Sequence, residues 1–254
     1  MQILVSQLPS GGFGYDFPSV SVSPMTFLEM CDYMENAPKE EDSLERYLYD
    51  INLLIKEDKT ILNCYVMDLD FLIFYKKLCS VSEDLKYEIS IKCPVCGREI
   101  KKTISFEKDI HFKQTDPRIM NGARVKLGEH TYDTIVPTVK QFLDVFKVYL
   151  RYKKVTDIKM IKTIALFANF DYQGNQIEND VLGATHSGIT LLLALRDLYY
   201  DRLEPIELYC PECNKDKKPE ERRSIVVSVE SLITSFFPAL ISNSPISGAE
   251  IIFK

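Results

Sequence analysis

Apolar positions recur along this chain with two periods, and the switches between them lay out its elements. "MQILV" (1–5) and "PSVSVS" (18–23) alternate as short strands around the loop "LPSGGFGYDFP". No Lys-Ser/Thr follows the loop's glycines, and it leads into Pro18 and a strand, so it predicts a turn-rich surface loop rather than a phosphate cradle. The period then becomes helical. Ser23 as N-cap and Pro24 at the first helical position open a helix to about residue 36, with Leu28, Cys31 and Met34 on its core side. Residues 39–55 put Leu44, Leu48, Ile51 and Leu54/Ile55 on one face of a second helix, its start solvated by Glu40 and Glu41. Residues 67–82 give a third, capped by Asp68 or Asp70 and apolar all round at "FLIFY". Cys64 and Cys79 belong to these apolar surroundings.

Alternation returns at 85–113, with Tyr87, Ile89 and Ile91 on the outgoing arm and Ile100, Ile104 and Phe106 on the return. A further strand pair lies near "ARVKLGEHTYDTIV". Helical patterns opening at Thr138 follow in series to about residue 203, with Thr185 or Ser187 capping the last of them beside His186. A second hairpin spans 206–229, and "SVESLITSFFPALI" predicts a short amphipathic helix carrying Phe236, Phe237, Leu240 and Ile241. Strands and helices cluster rather than alternate singly, which predicts an α+β fold in which two β-hairpins form a zinc-ribbon-like unit. Five regions follow: 1–84, strands plus helices; 85–113, first hairpin; 114–205, a mainly helical insertion; 206–229, second hairpin; 230–254, C-terminal helix and tail.

Composition narrows the class. Hydrophobic residues at 46% and charged residues at 27% fit a packed globular chain, and a net charge of −6 argues against wrapping nucleic acid through its phosphates. The longest apolar run, from Ile189, meets Arg196 and Asp197 too early to span a bilayer. The N-terminus has neither a basic region nor a cleavage motif. Seven cysteines, four of them in two Cys-x-x-Cys pairs, suit a reducing compartment. A soluble intracellular protein is expected, and a virion protein made in a cytoplasm has the same composition.

The chemistry concentrates in "IKCPVCGRE" and "LYCPECNKD", where Cys93 and Cys96, then Cys210 and Cys213, sit at hairpin tips. Three roles compete. Redox catalysis of the thioredoxin kind wants the pair at a helix N-terminus, where the dipole lowers a thiol pKa, whereas strand formers flank both pairs here. Four buried thiols with no function would be unusual at exposed turn tips. A closed zinc site needs four ligands around one ion at about 2.3 Å, and each knuckle supplies two. Gly97 relaxes the first turn, and Asn214, which tolerates left-handed backbone angles, stands at the matching place in the second. The long stretch between the pairs, Gly97 to Tyr209, costs little extra closure entropy, which grows only logarithmically with length. The expectation is one structural Zn²⁺ on Cys93, Cys96, Cys210 and Cys213, with His111 as a substitute ligand if the pairs do not meet. No nucleotide fingerprint or metalloprotease motif appears, and no catalytic residue is expected.

The stretches "LPSGGFGYDFPSVSVSPMTFLE", "ILNCYVMDLDFLIFYKKL", "YEISIKCPVCGREIKKTISFEKDIHF", "YDTIVPTVKQFLDVF", "IKTIALFANF", "LLLALRDLYYDRLEPIELYCPEC" and "SFFP" together are similar to the hub and hub-assembly proteins of T4-type contractile phage baseplates. The likeness covers most of the chain as a pattern. It implies a non-enzymatic structural or assembly role among other baseplate or tail proteins, in the host cytoplasm during assembly or in the virion tail. Neither a small-molecule substrate nor a membrane comes with it, and nucleic acid is not expected as a partner. The competing reading is an intracellular zinc-ribbon adaptor that binds nucleic acid or a transcription complex.

Overall fold

The computed structural model describes residues 1–38, 44–113, 115–152, 158–167, 175–184, 186–200, 202–218 and 221–227. The C-terminal helix expected at 228–241, with Phe236 and Phe237, and the Glu40/Glu41 pair lie outside them. In chain order the elements are β1 (Gln2–Leu4), β2 (Ser19–Ser21), α1 (Phe27–Asn36), α2 (Leu44–Glu57), α3 (Val66–Val81), β3 (Lys86–Lys92), β4 (Glu99–Ser105) and the single turn α4 (Phe106–Asp109). There follow β5 (Arg124–Leu127), β6 (His130–Asp133), α5 (Val139–Tyr152), α6 (Ile158–Ile164), α7 (Asn175–Leu182), α8 (His186–Tyr200), β7 (Ile206–Tyr209) and β8 (Ser224–Val227). Among the described residues the four sheets are each two-stranded and antiparallel: β1–β2, β3–β4, β5–β6 and β7–β8. The fold is α+β. No helix among the described residues is long and apolar enough to cross a membrane.

The chain divides into two units. The first comprises Met1–Val22, Pro38–Leu72 and Gln114–Arg202. Its helix α5 starts where expected. Thr138 Oγ1 accepts the Gln141 amide (3.3 Å) while Gln141 Oε1 accepts the Thr138 amide (2.8 Å), a reciprocal cap that satisfies two orphan donors. One core cluster gathers Val125, Leu127, Phe167, Ile177, Val181 and Leu192. Asp68, expected with Asp70 as a candidate helix cap, lies within the first turn of α3, fully buried, and accepts hydrogen bonds from the loop after β1. That loop is correspondingly not all surface, because Leu8 and Ser10 are fully buried.

The second unit comprises Ser23–Ala37, Ile73–Lys113 and the chain from Leu203. Helix α1 begins later than Ser23-Pro24 suggested. Thr26 is its N-cap, accepting the Glu29 amide at 3.2 Å while the Glu29 carboxylate accepts the Thr26 amide at 2.8 Å. The reciprocal cap outcompetes a proline start because it satisfies two donors rather than removing one. The face of α1 is also corrected. Leu28 is 78% exposed and Met34 38%, and Cys31 is half-buried; the helix instead buries Tyr33, whose ring lies 5.4 Å from Lys77 Nζ. Lys76 Nζ donates to the Ser23 carbonyl (3.0 Å), so the lysine bordering the apolar run "FLIFY" on α3 holds the lead-in to α1.

The first hairpin of this unit has one apolar face, and the second buries apolar side chains on both. In β3–β4, Ile89, Ile91, Ile100 and Ile104 are buried; Ile89 pairs with Lys102, whose ammonium meets Asp109 at 2.7 Å. In β7–β8, Ile206, Leu208, Ile225 and Val227 are buried on one face, and Val226, opposite Glu207 on the other, is buried as well. Strand alternation therefore fixes which way β3–β4 faces, and in both hairpins the first cysteine of the pair follows directly on the outgoing strand.

Candidate metal centre

After Lys92 the chain reverses within a few residues. The Cys93 amide donates to the Arg98 carbonyl (2.7 Å) and the Gly97 amide to the Cys93 carbonyl (2.8 Å). Gly97 takes φ 71°, and a Cβ there would meet nothing within 4 Å. The glycine is needed for the backbone angle, not for room.

The second knuckle copies the first with a different device. The Asn214 amide donates to the Cys210 carbonyl at 3.2 Å, in parallel with Gly97 and Cys93. Asn214 does not take the left-handed angle anticipated for it; among the described residues Leu85 is the one non-glycine with positive φ. Its side chain acts instead. Nδ2 donates to the carbonyls of Cys210 (3.0 Å) and Arg223 (3.1 Å), and Oδ1 accepts the Arg223 amide (2.9 Å). This buried amide closes the excursion from Asn214 to Arg223 and delivers the chain to β8. An asparagine beside a Cys-x-x-Cys pair carries no such message in the sequence, since its second partner lies well beyond the knuckle.

The two tips meet. Cys93 Sγ lies 3.8 Å from Cys213 Sγ, and Cys96 Sγ lies 3.6 Å from Cys210 Sγ. All four sulfurs fall within 4.8 Å of one another, close to the roughly 3.8 Å separation of four thiolates held tetrahedrally at about 2.3 Å. The four cysteines lie close together and can hold a metal ion. Among the described residues they form the one His/Cys/Asp/Glu group with that capability. His111 is not part of it; its backbone carbonyl accepts the Glu204 amide at 2.9 Å. An ion pair between Arg98 and Glu212 also joins the tips, exposed on both sides and so worth little by itself.

Burial is uneven. Cys93 and Cys210 are buried, Cys213 half-buried and Cys96 exposed. Burial raises the Cys93 thiol, but the amides of Cys96 and Val95 aimed at its sulfur outweigh that and hold it at about 7. Cys213 goes the other way, pushed up to about 12, first by the Cys96 thiol beside it and then by burial. Charge accumulating among four crowded sulfurs thus opposes complete deprotonation, and a divalent cation at their centre relieves it. A cavity of about 230 Å³ opens over Cys93, Cys210 and Cys213, with Lys217 and Arg223 in its wall.

The remaining cysteines hold no such position. Cys64 and Cys79 are buried, their thiols directed at the carbonyls of Thr60 (3.8 Å) and Lys76 (3.2 Å). No family model, curated protein or solved structure matches the chain.

Proposed function

We propose that this chain is a non-enzymatic structural or assembly protein whose second unit is stapled by one zinc ion on Cys93, Cys96, Cys210 and Cys213. The observation that carries the zinc assignment is the convergence of two Cys-Pro-x-Cys tips, far apart in the sequence, onto one four-sulfur cluster. A soft, all-thiolate set favours zinc over hard cations such as Mg²⁺ or Ca²⁺. With four protein ligands no position remains for a reacting water, which is the arrangement of structural rather than catalytic zinc. Elemental analysis and native mass spectrometry of the purified chain test this: one zinc per chain is expected, and a metal-free cluster with four free thiols overturns it.

The setting we propose is a contractile phage tail baseplate or its assembly pathway, on the pattern likeness set out above. Its test is co-purification from the natural source, where tail proteins should accompany the chain. The adaptor reading draws on one observation, the mixed-sign stretch after the second knuckle, in which Lys215, Lys217, Lys218, Arg222 and Arg223 outnumber Asp216, Glu220 and Glu221. DNA or RNA binding that weakens steeply between two salt concentrations would favour it.

A further inference from the structure

We propose that the four-cysteine centre is also a site of oxidative modification, at which a hydroperoxide converts it into two disulfides running between the hairpins, Cys93–Cys213 and Cys96–Cys210, with release of the metal. This rests on the zinc reading for the metal it releases; the thiol pairing stands on the sulfur geometry alone.

Two observations carry it. The first is pairing. The contacts at 3.8 and 3.6 Å both run from one hairpin to the other. Closing either to a disulfide bond asks only a small displacement of each sulfur, within reach of side-chain rotation. The second is access. Cys96 is exposed, and the cavity of about 230 Å³ opens onto the other three sulfurs, so a small peroxide reaches the cluster from either side. Buried structural thiols such as Cys64 and Cys79 have no such approach.

The chemistry balances. One thiolate attacks a peroxide oxygen, giving a sulfenic acid and hydroxide; the facing thiolate then displaces hydroxide from that sulfur and closes the disulfide. Each pair gives up two electrons to one H₂O₂. For the whole centre, Zn(S-Cys)₄²⁻ with two H₂O₂ and four protons yields Zn²⁺, two disulfides and four waters. A disulfide within one Cys-x-x-Cys turn would join near neighbours and let the hairpins part. Cross-hairpin bonds keep the tips joined when the ion is gone.

The test is a hydrogen peroxide titration of the zinc-loaded full chain, with a metallochromic indicator for released zinc and peptide mapping without reductant. Trypsin puts Cys93 and Cys96 in one peptide and Cys210 and Cys213 in another, so mass tells peptides linked to each other from peptides oxidised separately. The expected result is release of one zinc for about two equivalents of peroxide, the two peptides linked to each other, and fragmentation assigning 93 to 213 and 96 to 210. Cys93→Ser combined with Cys213→Ser should still cross-link through Cys96 and Cys210. Disulfides confined to each peptide, or sulfinic and sulfonic acids in their place, would overturn the proposal. If the purified chain holds no zinc, the metal reading fails, and the linked peptides from the metal-free thiols still decide the pairing.

Discussion

The Tyr15 hydroxyl donates to the buried carboxylate of Asp68, whose other oxygen accepts the Ser10 amide at 2.7 Å. The same hydroxyl accepts the Tyr65 amide at 2.6 Å, so one phenol ties the N-terminal loop to the start of α3. Burial pushes the Asp68 carboxyl up to about 6, against these hydrogen bonds and the Arg202 charge, which pull it down. Burial also raises the Tyr15 hydroxyl, with the nearby Asp68 charge adding to it.

A carboxyl with a folded-state pKa above its unfolded value holds its proton more tightly when folded. Its contribution to stability is therefore complete below the unfolded value of 3.8 and is lost as pH rises through about 6. The interval corresponds to about 3 kcal/mol. Urea denaturation of wild type and Asp68→Asn between pH 4 and 7 should show the decline in the difference between them, since the amide cannot titrate. Asp68→Ala should cost more at every pH, about 1–3 kcal/mol for each donor left without an acceptor. A pH-independent difference between wild type and the Asn variant would refute the titration.

At the metal centre, Cys93→Ser should abolish stoichiometric zinc and lower the melting temperature, because binding free energy at a closed structural site is also folding free energy. A loss of about 3 kcal/mol corresponds to roughly 6–12 °C for a chain of this size. A chelator should do the same to wild type and nothing to the variant. Calorimetry with and without chelator checks both.

Asn214→Ala removes one buried amide that makes three hydrogen bonds. The expected cost is about 1–3 kcal/mol, together with faster zinc loss to chelator while the zinc stoichiometry at saturation stays at one. Gly97→Ala should cost only about 1–2 kcal/mol, the penalty of its backbone angle, since no neighbour obstructs a methyl group. Denaturant titration of both variants, with chelator kinetics on the first, reads these effects.

On α1, Phe27→Ser and Leu28→Ser should each change stability by no more than about 0.5 kcal/mol, because these side chains are 75% and 78% exposed. Tyr33→Ala, at 1% exposed, should cost about 3–5 kcal/mol. Equal losses at Leu28 and Tyr33 in chemical denaturation would contradict this packing.

The contrast between Leu28 and Tyr33 also marks where sequence reading stops. Periodicity locates α1, α2, α3 and both cysteine hairpins, because apolar spacing encodes element type directly. It points to the wrong face of α1: Leu28, Cys31 and Met34 form a tidy stripe, yet packing goes to Tyr33, an aromatic whose ring also sits beside the Lys77 ammonium. Asp68 is misread for a related reason. An acidic residue near a helix start has the same local signature whether it faces water or a tyrosine 53 positions earlier in the chain. The four cysteines are legible because metal-ligand spacing is itself local, and only their meeting is a long-range fact. Asn214 is not, since its bond to Arg223 depends on how the second knuckle closes.

The distance between the knuckles along the chain has a consequence for synthesis. A ribosome that has placed Cys96 must add the whole stretch from Gly97 to Tyr209 before Cys210 exists, which takes roughly 6–23 s at about 5–20 residues per second. For that interval the nascent chain carries half a coordination sphere. Any translation product that stops short of Cys213 is left with an incomplete set of four sulfurs, so the capacity to hold an ion there distinguishes chains that reached that residue from those that did not.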